Sequence, residues 1–204
     1  MVSKTRDKLI EVARQLFFYK GVENTTMNDI ATASDKGRRT IYTYFKNKRE
    51  IYNAVVESQS NSIIDRLNKI VESDISYSDK LYKYLRTRIE TIIEISPVSK
   101  SPYDKYKSFF SRETRRYDKV SEVEKSKEHS ILSQLLNDGV AAGIFVAEQA
   151  KTLPSLLTLI FLSIENLLLN NTKDQIADIR DVCDNAINFV MSGILVENTL
   201  YKLE

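Results

Sequence analysis

The chain has 204 residues, 42% of them hydrophobic and 28% charged, with a net charge of +2, a composition that can bury a core of ordinary globular size. Five Gly and three Pro leave little for turns, which argues against strand-rich folds, and a single Cys and a single His exclude an intrachain disulfide and a zinc site built mainly from those residues. The charge is uneven: residues 1–50 carry eleven Lys or Arg against six acids and the remainder nineteen against twenty-two, so a polyanionic partner belongs at the N-terminal quarter.

The first residues lead into a charged amphipathic run with no signal-peptide pattern. Leu9, Ile10, Ala13, Leu16 and Phe17 follow one helical face, and Gly21 is placed to stop that helix in a left-handed conformation. Thr26 with Asp29 forms a near capping box for a second helix whose apolar face is Ile30, Ala31 and Ala33. Asp35-Lys36-Gly37 reads as a tight turn, and Arg38 to Phe45 as a third short helix with Ile41 and Phe45 inward. Asn47 caps a fourth helix, with Glu50 three residues on, running through Ile51, Val55, Ile63 and Leu67 to Ile70.

Helical periodicity continues over roughly 78–95, 102–118, 121–143, 152–170 and 173–201. Ser101-Pro102 with Asp104, Ser121 with Glu124, and Thr172 with Gln175 mark helix starts. The fold class expected is all-α with about nine helices, divided into a three-helix domain at 1–48 and a helical domain at 49–204. Leu153 to Leu169 is the most lipid-like stretch, but Pro154, Ser163, Glu165 and Asn166 interrupt it well short of the ~20 residues a bilayer requires, so a buried helix is expected and no membrane.

Three short helices with a tight turn before the last are the minimal helix-turn-helix, the segment centred on residues 26–45. Its third helix sets the apolar pair Ile41 and Phe45 behind a dense row of donors. Arg38 and Arg39 carry planar forks that can pair with guanine O6 and N7, while Thr and Tyr hydroxyls and Lys ammoniums are the usual phosphate partners. A basic helix can also be a plain solvated face. The position just after a turn and the two tyrosines, Tyr42 and Tyr44, favour DNA.

At these residues the chain resembles the TetR family of bacterial one-component regulators. It has the helix ending Phe17-x-x-x-Gly21, the hydroxyl pair Thr25-Thr26, the pair Ile30-Ala31, and Ile41-Tyr42-Thr43-Tyr44-Phe45-Lys46-Asn47-Lys48 in place of the family's Leu-Tyr-x-His/Tyr-Phe-x-x-Lys. The likeness covers about residues 5–55; beyond it only length and helix count agree. It implies that Thr26, Thr40, Tyr42, Tyr44 and Lys48 anchor phosphates, that Arg38, Arg39 and Thr43 reach base edges, and that Gly37 allows close approach. The chain departs from the family's Gly-Val-Ser turn at Asp35-Lys36-Gly37, where Lys36 offers an added phosphate contact.

The resemblance implies DNA binding by 1–48 and ligand sensing and dimerisation by 49–204; there the last two helices are the most apolar part of the chain, Leu156 to Leu168 and Ile176 to Ile194, and apolar residues cover more than one face of the first of them. The resemblance implies a homodimer through a four-helix contact of that pair, and a two-fold dimer suits a pseudo-palindromic operator on double-stranded DNA. The middle helices are rich in aromatics, and Tyr82, Tyr106, Phe109 and Phe110 are the candidate lining of a small-molecule site, although aromatics at helical spacing also make plain core. Arg86, Arg88, Arg112, Arg115 and Arg116 would suit an anionic effector, Glu90 and Glu94 a cationic one. No Walker-type or GxGxxG loop occurs, His129 lies in a polar run that reads as solvated, and no enzyme, catalytic residue, metal or cofactor is expected. The chain reads as a cytoplasmic transcriptional repressor released by a ligand. The alternative is a ligand-independent or architectural factor using the same DNA-binding end.

Overall fold

The computed structural model describes residues 4–95, 118–170 and 175–196, and these form eight helices: α1 Lys4–Lys20, α2 Met27–Ala33, α3 Arg38–Tyr44, α4 Lys48–Val71, α5 Tyr77–Ile95, α6 Asp118–Ala141, α7 Ala147–Asn170 and α8 Gln175–Ile194. The expected helix at 102–118 and the caps at Ser101 and Thr172 lie outside the described residues. The all-α class holds. Two compact units form, one chiefly of residues 4–62 and the other chiefly of 63–95 and 125–196.

In the first unit α1 buries Leu9, Ile10, Ala13 and Phe17. It ends as expected at Gly21, whose φ of 85° and N–H bond to the Phe17 carbonyl (3.1 Å) are those of a left-handed cap. The capping box at α2 is complete: Thr26 Oγ1 accepts from Asp29 N (3.1 Å) and Asp29 Oδ2 from Thr26 N (2.8 Å). The end of α2 is the less obvious part. Lys36 N bonds Ala31 O (2.9 Å) and Asp35 N bonds Thr32 O (3.0 Å), a Schellman pair whose left-handed residue is Asp35, φ 55°. Asp tolerates that conformation better than most side chains, so Gly37 is released for another task and stands at φ −67° as the N-cap of α3. Ile41 and Phe45 point inward and join Ile30, Ala31, Ile51, Ala54 and Val55 in one core. Asn47 caps α4 through Glu50 N (3.0 Å), while Glu50 reaches back one residue further, to Lys46 N (2.7 Å).

In the second unit the core gathers Leu67, Leu81, Tyr84, Leu85, Ile89, Ile92, Leu132, Leu135, Leu136, Leu153, Leu157, Phe161, Ile164, Cys183, Ile187, Met191 and Ile194. Ser121, read as an N-cap, lies inside a helix that starts at Asp118. α7 starts at Ala147, five residues before the expected 152, and carries Pro154 within it. α8 ends at Ile194, short of the expected 201, because the chain there bonds to the α6–α7 connection: Val146 N to Ile194 O (2.8 Å) and Val196 N to Ile144 O (3.1 Å), an isolated antiparallel bridge centred on Phe145 and Leu195. The Leu153–Leu169 stretch buries Leu153, Leu157, Phe161 and Ile164 but exposes Leu156, Leu159 and Leu167, so it is half-buried rather than buried. No helix among the described residues is long and apolar enough to cross a membrane.

The bridge fixes Phe145 against α6. A Cβ added to Gly139 would fall within the van der Waals shell of Phe145 Cδ2 and Cε2, and that ring is buried. Gly139→Ala is therefore expected to destabilise the protein by about 1–2 kcal/mol, since overpacking costs about 1–3 kcal/mol and helix propensity returns at most about 1. Denaturant unfolding checks this: a midpoint at or above that of the parent contradicts it, and a smaller loss in a Phe145→Leu background supports it.

Candidate nucleic-acid interface

α3 turns its short amphipathic helix so that Ile41 is sealed in the core and Arg38, Arg39, Tyr42 and Thr43 are exposed on the opposite side, with Thr40 and Tyr44 half-buried between. The exposed residues pair at i, i+4. The Arg38 guanidinium stands 5.9 Å above the Tyr42 ring, and Thr43 Oγ1 donates to Arg39 O (3.1 Å). Thr43 thus keeps its oxygen as an acceptor while its proton is bound to the helix. Gly37 opens α3 with no atom near the place a Cβ would take, leaving the backbone there open to approach. Lys36 is half-buried in the turn.

Thr26 sits at the start of α2 with its oxygen accepting in the capping box, which leaves its proton to be donated outward. Next to it is a pair that no helical spacing announced. Lys20 Nζ bonds Asp29 Oδ2 at 2.7 Å, and together with the Thr26 N–H it lowers the Asp29 pKa to about 2. Because that carboxyl is held below its unfolded value, its contribution is present above about pH 4 and lost as pH falls through about 2. Acid unfolding of Asp29→Asn should show a shallower dependence over that window than the parent; an unaltered dependence would count against the pair.

Two further residues have tasks that their types alone did not reveal. Thr25, read only as half of a hydroxyl pair, is fully buried, and its hydroxyl donates to Gly21 O (2.6 Å). Lys48 directs its ammonium to the carbonyls of Val22 (2.7 Å) and Glu23 (3.3 Å) in the α1–α2 loop.

The expected small-molecule residues fare unevenly. Tyr106, Phe109 and Phe110 lie outside the described residues. Tyr82 is exposed, with its hydroxyl accepting from Arg86 Nη1 (3.1 Å). A pocket in the second unit is lined instead by Tyr84, Arg88, Glu128, Leu132, Leu157 and Phe161, with His129 at its exposed rim. Arg88 Nε meets Glu128 Oε1 at 2.6 Å, and its guanidinium stands 5.1 Å over Phe161. The Tyr84 hydroxyl donates to Glu128 O (3.3 Å), and burial keeps that phenol protonated far above its ordinary range. The signal for Tyr84 was present: it falls on the Leu81, Leu85, Ile89 face of α5, which Tyr82 does not.

With this geometry in view, comparisons with known proteins agree on a class. A family model described as bacterial regulatory proteins, tetR family, matches residues 9–55. The negative regulator of the biofilm operon icaADBC from Staphylococcus epidermidis, IcaR, is 38% identical over 81 residues, 39% of this chain and 43% of that protein. The chain thus matches less than half the length of that relative. A transcriptional regulator from Cytophaga hutchinsonii superposes with a TM-score of 0.73 at 23% identity, covering 93% of this chain and 98% of that one. SmeT, solved as a complex with triclosan, gives 0.66 at 16% identity over 96% and 93%. At these identities the two structures bear on the fold alone.

Proposed function

We propose that the chain, whose residues 9–55 match the model of the tetR family of bacterial regulatory proteins, is a DNA-binding repressor of that kind, a dimer released from a pseudo-palindromic operator by a small-molecule ligand. The curated relatives it matches are transcriptional regulators, and the chain is read as one and not as an enzyme. The single observation that carries the reading is α3: a buried Ile41 behind an outward row of Arg38, Arg39, Tyr42 and Thr43 at the end of a compact three-helix unit.

Within that proposal residues 1–48 contact DNA and 49–204 sense and dimerise, with the first turns of α4 completing the core of the former. Arg38, Arg39 and Thr43 read base edges. Thr26, Lys36, Thr40, Tyr42 and Tyr44 hold phosphates, and Gly37 admits the backbone closely. A homodimer forms through α7 and α8, where Leu156, Leu159, Val182 and Phe189 are exposed. The pocket between α5, α6 and α7 takes the effector, with Tyr84 and Phe161 as its aromatic walls. Ligand acts by binding better to a conformation in which the paired α3 helices no longer match the operator spacing. A DNA target and no described membrane-spanning helix suit a cytoplasmic protein.

Selection of bound fragments from a random DNA pool tests the core of this. The expected outcome is a two-fold symmetric site with half-sites one DNA turn, ~34 Å, or a multiple apart. Recovery of no preferred sequence would overturn it.

A further inference from the structure

Lys48 opens α4, where unpaired N–H groups collect partial positive charge and a cation is unfavourable. Its ammonium is instead drawn onto the carbonyls of Val22 and Glu23, 26 and 25 residues earlier in the chain. Those carbonyls belong to a loop that is already tightly specified. Gly21 is left-handed, the Thr25 hydroxyl bonds Gly21 O, Thr25 N bonds Val22 O (3.2 Å), and Val22 is buried. The loop runs straight into Thr26, the cap of α2.

An ammonium has three N–H donors. Two of them face this loop, so at most one remains, and it points from a group whose charge two carbonyl dipoles already solvate. We infer that Lys48 is a positioning residue, which ties the α1–α2 loop and the Thr26 end of α2 to the start of α4, and is not among the phosphate contacts that set the salt dependence of DNA binding. The inference rests on the proposed DNA-binding role for its functional consequence, and on the two hydrogen bonds alone for its structural one.

The two roles leave different traces. Each phosphate contact contributes about 0.9 to the slope of log K against log salt concentration, whereas a positioning residue lowers affinity without changing that slope. The test takes the full chain as parent, Lys48→Met and Lys48→Arg, binding a selected operator duplex between ~50 and ~200 mM salt at a temperature where circular dichroism shows all three folded. Amide exchange over residues 22–26 is measured beside it.

Lys48→Met is expected to bind roughly 3- to 10-fold more weakly at every salt concentration, with an unchanged slope and faster exchange at Thr25 and Thr26. Lys48→Arg, which can still donate to both carbonyls, should recover most of both readings. A slope shallower by about 0.9, or exchange in Lys48→Met equal to that of the parent, overturns the assignment. Should Lys48→Met not fold, Lys48→Gln takes its place under the same two criteria. If the parent itself binds no duplex, the DNA-binding reading has failed, while the exchange comparison still decides whether Lys48 holds the loop.

Discussion

Replacing Leu159 and Phe189 together by Glu is expected to leave the chain folded and monomeric, with operator affinity about 10²- to 10⁴-fold below that of the parent. Large apolar side chains standing in water suit the proposed dimer contact. Leu159 is 63% exposed on α7, and Val182 and Phe189 are 66% and 81% exposed on α8. Leu156, Leu159 and Leu167 recur at helical spacing on a side that the internal core does not use, and Val182 and Phe189 lie two turns apart with Ala186 between them. Burying one such side chain contributes about 1.5–3 kcal/mol, and a two-fold contact counts every residue twice. The same symmetry doubles the cost of each introduced charge. Nothing comparable is lost within one chain, because neither side chain contributes to the core cluster of its unit. Sedimentation reads the outcome, with thermal unfolding to confirm the fold; a double variant that stays dimeric removes α7 and α8 from the interface.

Arg38→Ala and Arg39→Ala are each expected to weaken operator binding by about 1–3 kcal/mol, roughly 5- to 150-fold, and to relax sequence preference at one base pair. Both residues are exposed, at the start of a helix whose stability comes from Ile41 and the cap at Phe45. Truncation there changes folding stability by no more than about 0.5 kcal/mol. The combination of intact stability with relaxed specificity separates base reading from a structural role. Arg38 carries a further expectation. Its guanidinium already stands over Tyr42, so part of its ordering cost is met before DNA arrives. Binding to randomised half-sites measures the effect, and retention of full affinity and specificity in both variants would move recognition to another element.

What could be read in advance was local. Gly21, the Thr26–Asp29 box, the Asn47 cap and the inward pair Ile41 and Phe45 depend on neighbours within one helical turn, and each stands as its spacing indicated. Ser121 shows the limit of that reading: a Ser with an acid three residues on matches a cap pattern equally well inside a helix that began at Asp118. The contacts that join separate elements reach further. Lys48 meets carbonyls 25 and 26 residues away, and Lys20 meets Asp29 across a helix end, separations to which no periodicity points. The pocket required α5, α6 and α7 to come together before Arg88, Glu128 and Phe161 could be seen as one group. Tyr82 and Tyr84 were chemically equivalent in the sequence, and only the phase of α5 distinguishes them.

The bridge between residues 144–146 and 194–196 depends on the rest of the second unit for its stability. It closes a loop of about fifty residues, and holding the ends of such a loop together costs about 3–4 kcal/mol of chain entropy. Two backbone hydrogen bonds return a net of about 1–3 kcal/mol. They cannot hold that loop shut by themselves. The deficit is covered by apolar burial, both of Phe145 and Leu195 in the bridge itself and of Leu157, Phe161, Cys183, Ile187 and Met191 on the helices beside it. The clasp at the end of α8 thus depends on the core it joins, and a loss of packing between α7 and α8 should open it.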